Sequence, residues 1–372
     1  MWNIWKEEVY KLASRKILWL GFFLLAFFAG LRLMSERRNY TITAGEQTYY
    51  GKEAIALDRR TASEYAGILT EEKIQKIYDT FGFYHYDAEK EIYIGNFCSR
   101  FMTSKMTNFN QTSSESLDEI HFLTGEEWKN NAEPLLDGSV WFDYTYGWED
   151  LKEIFSILIV IALLILFIIG VSPVFSEEYT FKTADILLTS RRGKRSCIWL
   201  KMSAALFLSV MIYTAFAVYL LLLYLSVYGA QGLDASAVLI NVPRSGFHPE
   251  KISSFFLYSF LLGLSAILLL VCITMAVSAY CKNAFLTVIL SLGLFFVPYV
   301  WMSILSGMLL PLLGTEITKA LSHFMISMPF YLSVHWGFAF SRNDTVLHLL
   351  TAAAVGVMCV ACGYRRYRNY QG

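Results

Sequence analysis

The sequence predicts an all-α polytopic membrane protein with six transmembrane helices and a small mixed α/β extracytoplasmic domain. Three observations predict this fold class: 55% of the 372 residues are hydrophobic, only 17% are charged, and the charges are segregated along the chain. A soluble domain usually carries about 25% charged residues. The composition therefore indicates a chain that exposes much of its apolar surface to lipid.

Six apolar segments are long enough to cross ~30 Å of hydrocarbon, which takes about 20 residues. They cover residues 17–34, 154–175, 202–227, 255–277, 284–310 and 346–364. Arg32 lies near the outer end of the first segment, where its long side chain can snorkel toward water. The predicted divisions are a leader with the first span (1–34), an extracytoplasmic domain (35–153) and spans two to six with a connecting loop at 176–201 (154–372).

The distribution of charge predicts the orientation of these spans. Residues 35–153 hold 22 of the 31 acidic residues but only 12 of the 31 basic ones. Lys and Arg concentrate in cytoplasmic segments, and six spans bring four basic segments to one side. These segments contain Lys6, Lys11, Arg15 and Lys16; Lys182, Arg191, Arg192, Lys194, Arg195 and Lys201; Lys282; and Arg365, Arg366 and Arg368. Both termini are therefore predicted to be cytoplasmic and residues 35–153 to be outside.

The outer segment has local signals for both helices and strands. Thr70 precedes Ile74, Ile77, Tyr78 and Phe81 at helical spacing. Ser116 with Glu119, and Thr124 with Glu127, have the spacing of capping boxes. Residues 91–95 have the composition of a short strand. We therefore expect mixed α and β structure here.

Two further segments leave alternatives open. Residues 310–341 are apolar but interrupted by Pro311 and Pro329, which favours short helices entering the outer leaflet over an additional span. The aromatic residues between Trp141 and Trp148 favour a membrane-interface belt and packing of the outer domain. The alternative is a stacking surface for an exported peptide or lipid.

The loop 176–201 is the most informative segment for function. Ala184, Leu187 and Leu188 have the i, i+3, i+4 spacing that gives a short helix one apolar edge, and Gly193 is expected to end it. Such a helix could insert into a groove on a cytoplasmic partner. Alternatively, the basic residues only fix topology and contact lipid headgroups.

This loop resembles that of type-2 ATP-binding-cassette exporter permeases, the ABC-2 family. Its matching positions are Glu178, Thr183, Leu187, Leu188, Thr189, Arg191, Arg192, Gly193, Lys194, Lys201 and Ala204. The family's usual Gly-Thr pair is absent, because Lys182 precedes Thr183, and no Pro follows Thr189. The resemblance extends to the amphipathic leader, the six spans and the broken outer helices, but not to the sequence of the outer domain.

The resemblance implies a permease subunit in a bacterial cell membrane, moving a substrate outward with ATP hydrolysed by a separate subunit. A second permease copy, or a related permease, would complete the path. Residues 184–189, including Ala184, would form the helix that couples to the ATPase, and Glu178 with the basic residues at 191–195 would pair with the ATPase surface. Membrane lipid is the other expected partner, and nucleic acid is not.

The residues themselves agree that ATP hydrolysis takes place elsewhere. Gly51-Lys52-Glu53 and Gly193-Lys194-Arg195 both lack the hydroxyl residue and upstream glycine of a Walker A motif, so no cofactor is expected in this chain. Spans two to six contain no Asp, Glu, Lys or Arg, which disfavours an ion relay. The six histidines, at 85, 121, 248, 323, 335 and 348, show no metal-ligand spacing in sequence.

One alternative from another functional class stays open. A membrane-anchored sensor or accessory protein would bind a ligand with its outer domain and recruit a signalling partner through the basic loop. An intramembrane enzyme has no supporting catalytic motif, since neither His-Glu-x-x-His nor Gly-x-Ser-x-Gly occurs.

Overall fold

The computed structural model of the protein consists of an amphipathic leader helix, a set of long apolar helices and a smaller segment that contains both helices and strands. It describes residues 2–45, 47–109, 117–190, 193–244, 246–247 and 249–370. Its helices are α1 (Trp2–Ala13), α2 (Lys16–Asn39), α3 (Gly51–Glu64), α4 (Glu71–Phe81), α5 (Phe97–Met106), α6 (Gly125–Asn131), α7 (Tyr146–Ile157), α8 (Leu164–Val171), α9 (Pro173–Thr180), α10 (Ala184–Thr189), α11 (Ile198–Tyr228), α12 (Ile252–Tyr280), α13 (Ala284–Val300), α14 (Ser306–Ile326), α15 (Pro329–Ser333) and α16 (Arg342–Arg368).

Among the described residues, five continuous helical segments are long and apolar enough to cross a membrane. They are Lys16–Asn39, Gly193–Tyr228, Ile252–Tyr280, Ala284–Ile326 and Arg342–Arg368. In the most apolar window of Ile252–Tyr280, 56% of the residues are buried, against 17–28% in the other four. Helix α12 is therefore the central helix, and the other four have fewer fully buried residues in their apolar windows.

The second predicted span, 154–175, is not one of these five because its helix is segmented. It runs through α7, a π-helical segment at Leu158–Leu163, α8 and the start of α9. Small residues bring this segment close to the first span: a Cβ on Gly170 would lie 2.2 Å from Leu18 Cδ2, and one on Gly21 2.4 Å from Leu166 Cδ1. The structure thus has five long apolar helices and one segmented helix packed against the first.

The fifth predicted span continues further than expected. Helix α13 passes Pro298, joins α14 through a π-helical segment at Trp301–Leu305, and bends at Gly314, whose φ is +76°. Glycine adopts this left-handed conformation without the steric cost of a Cβ. Residues 315–326, α15 and a 3₁₀ turn at His335–Gly337 follow, in agreement with the expected series of short helices.

The segment between α2 and α7 contains both helices and strands, as expected. Its strands are β1 (Thr41–Ala44), β2 (Gln47–Tyr50), β3 (Gly67–Ile68), β4 (His85–Asp87), β5 (Ile92–Ile94) and β6 (Trp141–Phe142). They pair as three two-stranded antiparallel sheets, β1 with β2, β3 with β6, and β4 with β5. Two-stranded sheets are marginal alone, so packing against α3 and α5 must supply much of the stability.

Most of the local predictions for this segment are confirmed. The Thr70 hydroxyl accepts a hydrogen bond from the Lys73 N–H at the start of α4, and β5 lies within the predicted strand. Thr124 precedes α6 but forms no side-chain cap, so that capping box is wrong in detail. Ser116 lies outside the described residues. Phe142, Tyr144 and Trp148 are buried, which favours packing over a stacking surface for the aromatic segment.

Candidate functional site

The short helix expected in the loop 176–201 is present as α10, and it follows directly from α9. Lys182, with a φ of +56°, reverses the chain between the two helices. The Thr183 N–H then donates to the Glu178 carbonyl at 3.0 Å, and the Leu187 N–H donates to the Thr183 carbonyl at 3.0 Å. The position of α10 is therefore tied by backbone hydrogen bonds to the end of α9.

The apolar edge of α10 faces the protein, which corrects the expectation that it faces a partner. Ala184 and Leu188 are buried in the main hydrophobic core, and Leu187 is half-buried. The apolar side chains that remain outside are Ile186, 72% exposed, and Phe181, 69% exposed. A partner that binds α10 in this conformation would contact Ile186 and Phe181 rather than Leu187 and Leu188.

Gly193 has a different role from the expected helix terminator. Helix α10 already ends at Thr189, and Gly193 begins a π-helical turn, Gly193–Cys197, that continues into α11. A Cβ on Gly193 would lie 1.7 Å from the Leu187 carbonyl oxygen. Only glycine lets the start of α11 approach the backbone of α10 this closely.

A buried charged group, which we name the leader cluster, lies behind α10 and consists of Glu8, Glu178, Lys201 and Tyr367. Lys201 Nζ donates to Glu178 Oε1 at 2.7 Å and to both carboxylate oxygens of Glu8 at 2.9 Å. The Tyr367 hydroxyl donates to Glu178 Oε2. The cluster therefore joins α1, α9, α11 and α16.

This position corrects the expected role of Glu178. Glu178 and Lys201 are both buried, 3% and 2% exposed, and both already have partners within the chain. A buried, ion-paired carboxylate cannot also pair with the surface of another protein. The geometry gives Glu178 and Lys201 an internal role, holding α9 to the leader and to α11.

Helix α9 is also fixed to the end of α12. The Ser278 hydroxyl donates to the Ser172 carbonyl at 2.6 Å and accepts from the N–H groups of Phe175 and Ser176. The Tyr179 hydroxyl donates to the Ala279 carbonyl at 3.0 Å. Burial raises the pKa of Tyr179, so this hydroxyl keeps its proton and remains a donor at neutral pH.

The remaining predicted site residues are at the surface or outside the described residues. Thr189, Lys194 and Arg195 are exposed, and Thr183 lies at the start of α10. Arg191 and Arg192 lie outside the described residues. Nearby, Arg15 forms an ion pair with Glu177 at 2.6 Å. Burial lowers the pKa of Arg15, and the Glu177 carboxylate offsets part of that effect.

Sequence reasoning missed Glu8 and Tyr367. Glu8 is an acidic residue in a leader that was noted for its basic residues. Its charge could have suggested a basic partner within the chain. Tyr367 gave no such signal, because it contacts Glu178 across 189 positions of sequence. Both belong to segments that were predicted only as membrane anchors.

The structure brings three histidines together that are far apart in the sequence. His323 Nδ1 lies 3.1 Å from His348 Nε2, and His348 Nδ1 lies 3.0 Å from His335 Nε2. A neutral imidazole has one donor and one acceptor nitrogen, so His348 donates to one neighbour and accepts from the other. No group of metal-ligating side chains suited to an ion occurs among the described residues, and His248 lies outside them.

Comparison with known proteins gives one match. A protein-family model described as "ABC-2 family transporter protein" matches residues 2–369. No curated protein and no solved structure matches the chain.

Proposed function

Because the chain belongs to the ABC-2 family of transporter proteins, we propose that it is the permease subunit of an ATP-driven exporter. The ATP would be bound and hydrolysed by a separate ATP-binding-cassette subunit. A second copy of this chain, or a related permease, would complete the transport path. The outward direction rests on the resemblance of the loop 176–201 to exporter permeases.

We further propose six spans, with the segmented helix from α7 to α9 as the second. The charge distribution supports both termini in the cytoplasm and residues 35–153 outside, because the four basic segments then share the cytoplasmic side. The family and the apolar helices support a multi-pass membrane location, and we expect the bacterial cell membrane.

The observation that carries the proposal is the exposure of Ile186 on α10, and of Phe181 in the turn before it, where α10 is fixed to the bundle. A docking helix needs an accessible apolar contact, and these two side chains provide it. It also needs a stiff connection to the spans. The Thr183 N–H donates to the Glu178 carbonyl, and the Glu178 carboxylate accepts from Lys201 and Tyr367, which together provide that connection.

The mechanism follows from this connection. ATP binding would bring two ATPase subunits together and push α10. Since α10 and α9 are joined by a short turn, the force would reach the leader cluster and move α1, α11 and α16 together. Packed helices move as rigid bodies more readily than they deform, so tilting of the spans would open the path outward.

The experiment replaces Ile186 with Asp and measures ATPase association. The tagged full-length chain is purified in detergent from its native host, and a co-purifying Walker-type ATPase is quantified. Ile186 is exposed, so Ile186→Asp should leave folding within about 0.5 kcal/mol of the natural chain. We expect ATPase recovery to fall by about tenfold or more, because a central apolar contact is replaced by a charge.

The matched control is Ile68→Asp, the same replacement at a 50% exposed position in the segment proposed to be outside. It should leave ATPase recovery unchanged. Equal recovery from the natural chain and Ile186→Asp would remove α10 as the docking element. No ATPase with the natural chain would favour the sensor or accessory reading instead. Leu188→Asp is unsuitable, since it would disrupt the core.

A further inference from the structure

A long apolar groove lies between α11, α12 and α16. Its volume is about 880 Å³, and apolar side chains line most of it. Leu269 and Cys272 of α12 line the groove. On α16 the lining includes three small residues, Ala352, Ala353 and Gly356. A Cβ on Gly356 would meet Leu269 Cδ1 at 3.7 Å, so this part of the groove is open because its side chains are small.

One end of the groove is basic. Arg365 and Arg368 line it there, and their i, i+3 spacing places both on one face of α16. Both are exposed, and no described carboxylate lies within ion-pair distance of either. The neighbouring Arg366 differs, because it stacks on Tyr280 at 5.6 Å, away from the groove.

Aromatic side chains mark the level of this end in the bilayer. The Trp199 and Tyr364 rings, both of which line the groove, lie 5.4 Å apart, and the Tyr364 hydroxyl donates to the Lys194 carbonyl at 3.3 Å. Trp and Tyr are enriched where hydrocarbon meets the headgroups. The two arginines therefore lie at headgroup level, and the apolar part of the groove extends into the hydrocarbon.

The basic half of the groove matches one lipid leaflet. From Arg365 to Gly356 is nine positions of α16, or about 14 Å at 1.5 Å per residue. The apolar lining continues along α16 to Leu349, which is about 24 Å from Arg365 on the same scale. Half of the ~30 Å hydrocarbon layer is about 15 Å. Helix α11 lines only this basic half, through Trp199 and Leu206.

We propose that the groove is a binding site for one anionic phospholipid of the leaflet that faces the two termini. Arg365 and Arg368 bind the headgroup phosphate, and an acyl chain lies along Leu206, Cys272 and Gly356. Two exposed arginines, neither of which pairs with a described carboxylate, lie at the mouth of an apolar groove and complement an anionic headgroup on acyl chains. They do not complement a second copy of the same surface, which would bring arginines against arginines. The site is separate from α10, and only the naming of the leaflet as cytoplasmic rests on the proposed function.

The test is native mass spectrometry of the full-length protein in detergent. Palmitoyl-oleoyl phosphatidylglycerol, or phosphatidylcholine with the same acyl chains, is added, and the first bound lipid is quantified. We expect the natural chain to prefer phosphatidylglycerol by about tenfold, because each basic side chain near the headgroups contributes to anionic lipid binding. The double variant Arg365→Gln/Arg368→Gln should bind the two lipids alike.

Two further variants make the test specific. Arg366→Gln/Lys282→Gln also removes two positive charges near the same end but outside the groove, and it should keep the preference. Gly356→Leu fills the groove without changing charge and should weaken binding of both lipids.

Three results would overturn the proposal. One is equal binding of both lipids by the natural chain. Another is an unchanged preference in Arg365→Gln/Arg368→Gln. The third is a loss of dimer in Gly356→Leu with lipid binding unchanged, since the groove would then hold a second copy of the chain. ATPase association is measured separately through Ile186, so failure of this site and failure of the proposed function are distinguishable.

Discussion

Two charged clusters hold helices together at opposite ends of the bundle, and they differ in burial and in what they connect. The leader cluster is enclosed, with side chains of Lys201 and Glu178 only 3% and 4% exposed. The second, which we name the Arg32 cluster, consists of Arg32, Asp150, Glu153 and Tyr224. Arg32 lies 2.7 Å from Asp150 and 3.4 Å from Glu153, with Arg32 35% and Glu153 56% exposed.

The difference shows that ion pairs between helices can be either enclosed or in contact with water. Removing charges from water costs several kcal/mol per ion, so a buried pair persists only with good geometry and further hydrogen bonds. The leader cluster meets this condition with one ammonium between two carboxylates and a tyrosine hydroxyl. The Arg32 cluster keeps contact with water and also corrects the expectation that Arg32 simply snorkels, since it joins α2 to α7.

The connections differ as well. The Arg32 cluster joins the first span to the start of α7 and, through the hydrogen bond from the Tyr224 hydroxyl to Asp150 at 2.5 Å, to the end of α11. The leader cluster joins four helices next to α10. The enclosed cluster therefore lies where the proposed mechanism requires a stiff connection, and the exposed one lies at the opposite end of α11.

The largest expected effect is that of Lys201→Met. It removes the cation shared by the buried Glu178 and the half-buried Glu8, and leaves Glu178 only the half-exposed Lys11, whose Nζ lies 4.0 Å from Oε1. Breaking a buried ion pair typically costs about 3–5 kcal/mol. We expect a loss of this size in the free energy of unfolding, measured by denaturant titration of the detergent-purified protein. The variant Lys201→Met/Glu178→Gln removes one of the stranded charges and should recover part of the loss. A loss below about 1 kcal/mol would make the leader cluster equivalent to a surface pair.

This comparison also explains what could be predicted from the sequence. The presence of the short helix α10 follows both from local spacing and from the resemblance. The resemblance gives its bounds, 184–189, as the structure has them, whereas local spacing extends the helix to Gly193. The orientation of α10 does not follow from either, because Ala184 and Leu188 on one side and Ile186 on the other are all apolar. Only the surrounding core decides which of them is buried.

Contacts between residues that are far apart in the sequence could not be predicted elsewhere in the chain either. Glu178 was predicted at a surface because its partners Glu8 and Tyr367 lie at the two ends of the chain. The contacts of His348 with His323 and His335 have no periodic signal in the sequence. By contrast, the strand at Ile92–Ile94 and the start of α4 after Thr70 depend on neighbouring residues, and these predictions are confirmed.

A third buried carboxylate sharpens the comparison because it forms no ion pair with a described basic residue. Asp58, 1% exposed, accepts hydrogen bonds from the Tyr40 hydroxyl at 2.5 Å and the Phe97 N–H at 2.8 Å. Burial raises the pKa of Asp58 to about 6, although both hydrogen bonds act in the opposite direction. Asp58 should therefore make the stability of the protein depend on pH.

The direction of this pH dependence follows from the pH at which Asp58 loses its proton in the folded and in the unfolded chain. Below about pH 4, Asp58 is protonated in both the folded and unfolded chain and contributes no pH dependence. Between about pH 4 and 6 only the unfolded chain loses this proton, so the free energy of unfolding falls as the pH rises, by about 3 kcal/mol in total. Above pH 6 this contribution is constant.

The measurement is the unfolding of the natural chain and of Asp58→Asn between pH 3 and 7. Asn keeps the size of the side chain but does not titrate, so the fall over this range should be smaller in the variant by about 3 kcal/mol. Parallel curves for the two proteins would mean that Asp58 has an ordinary pKa in the folded chain.

The smallest effect is expected for Arg32→Gln. Its loss should be about 1–2 kcal/mol, between the values for an exposed pair and an enclosed one, because Asp150 keeps its hydrogen bond from Tyr224. It should also shrink as salt is raised from 0.1 to 1 M, since the screening length falls from about 10 to 3 Å. The loss caused by Lys201→Met should not change with salt, because its partners are enclosed.

The control for this last comparison is Lys251→Gln, which removes a more exposed pair with Asp234 at 3.0 Å and should cost about 1 kcal/mol or less. The three variants then form a series in which the cost of losing one cation rises with burial, from Lys251 through Arg32 to Lys201. If Arg32→Gln lowered the free energy of unfolding as much as Lys201→Met and were equally insensitive to salt, the two clusters would contribute equally to stability despite their different exposure. The enclosed position of the leader cluster would then no longer be an argument for its role in coupling.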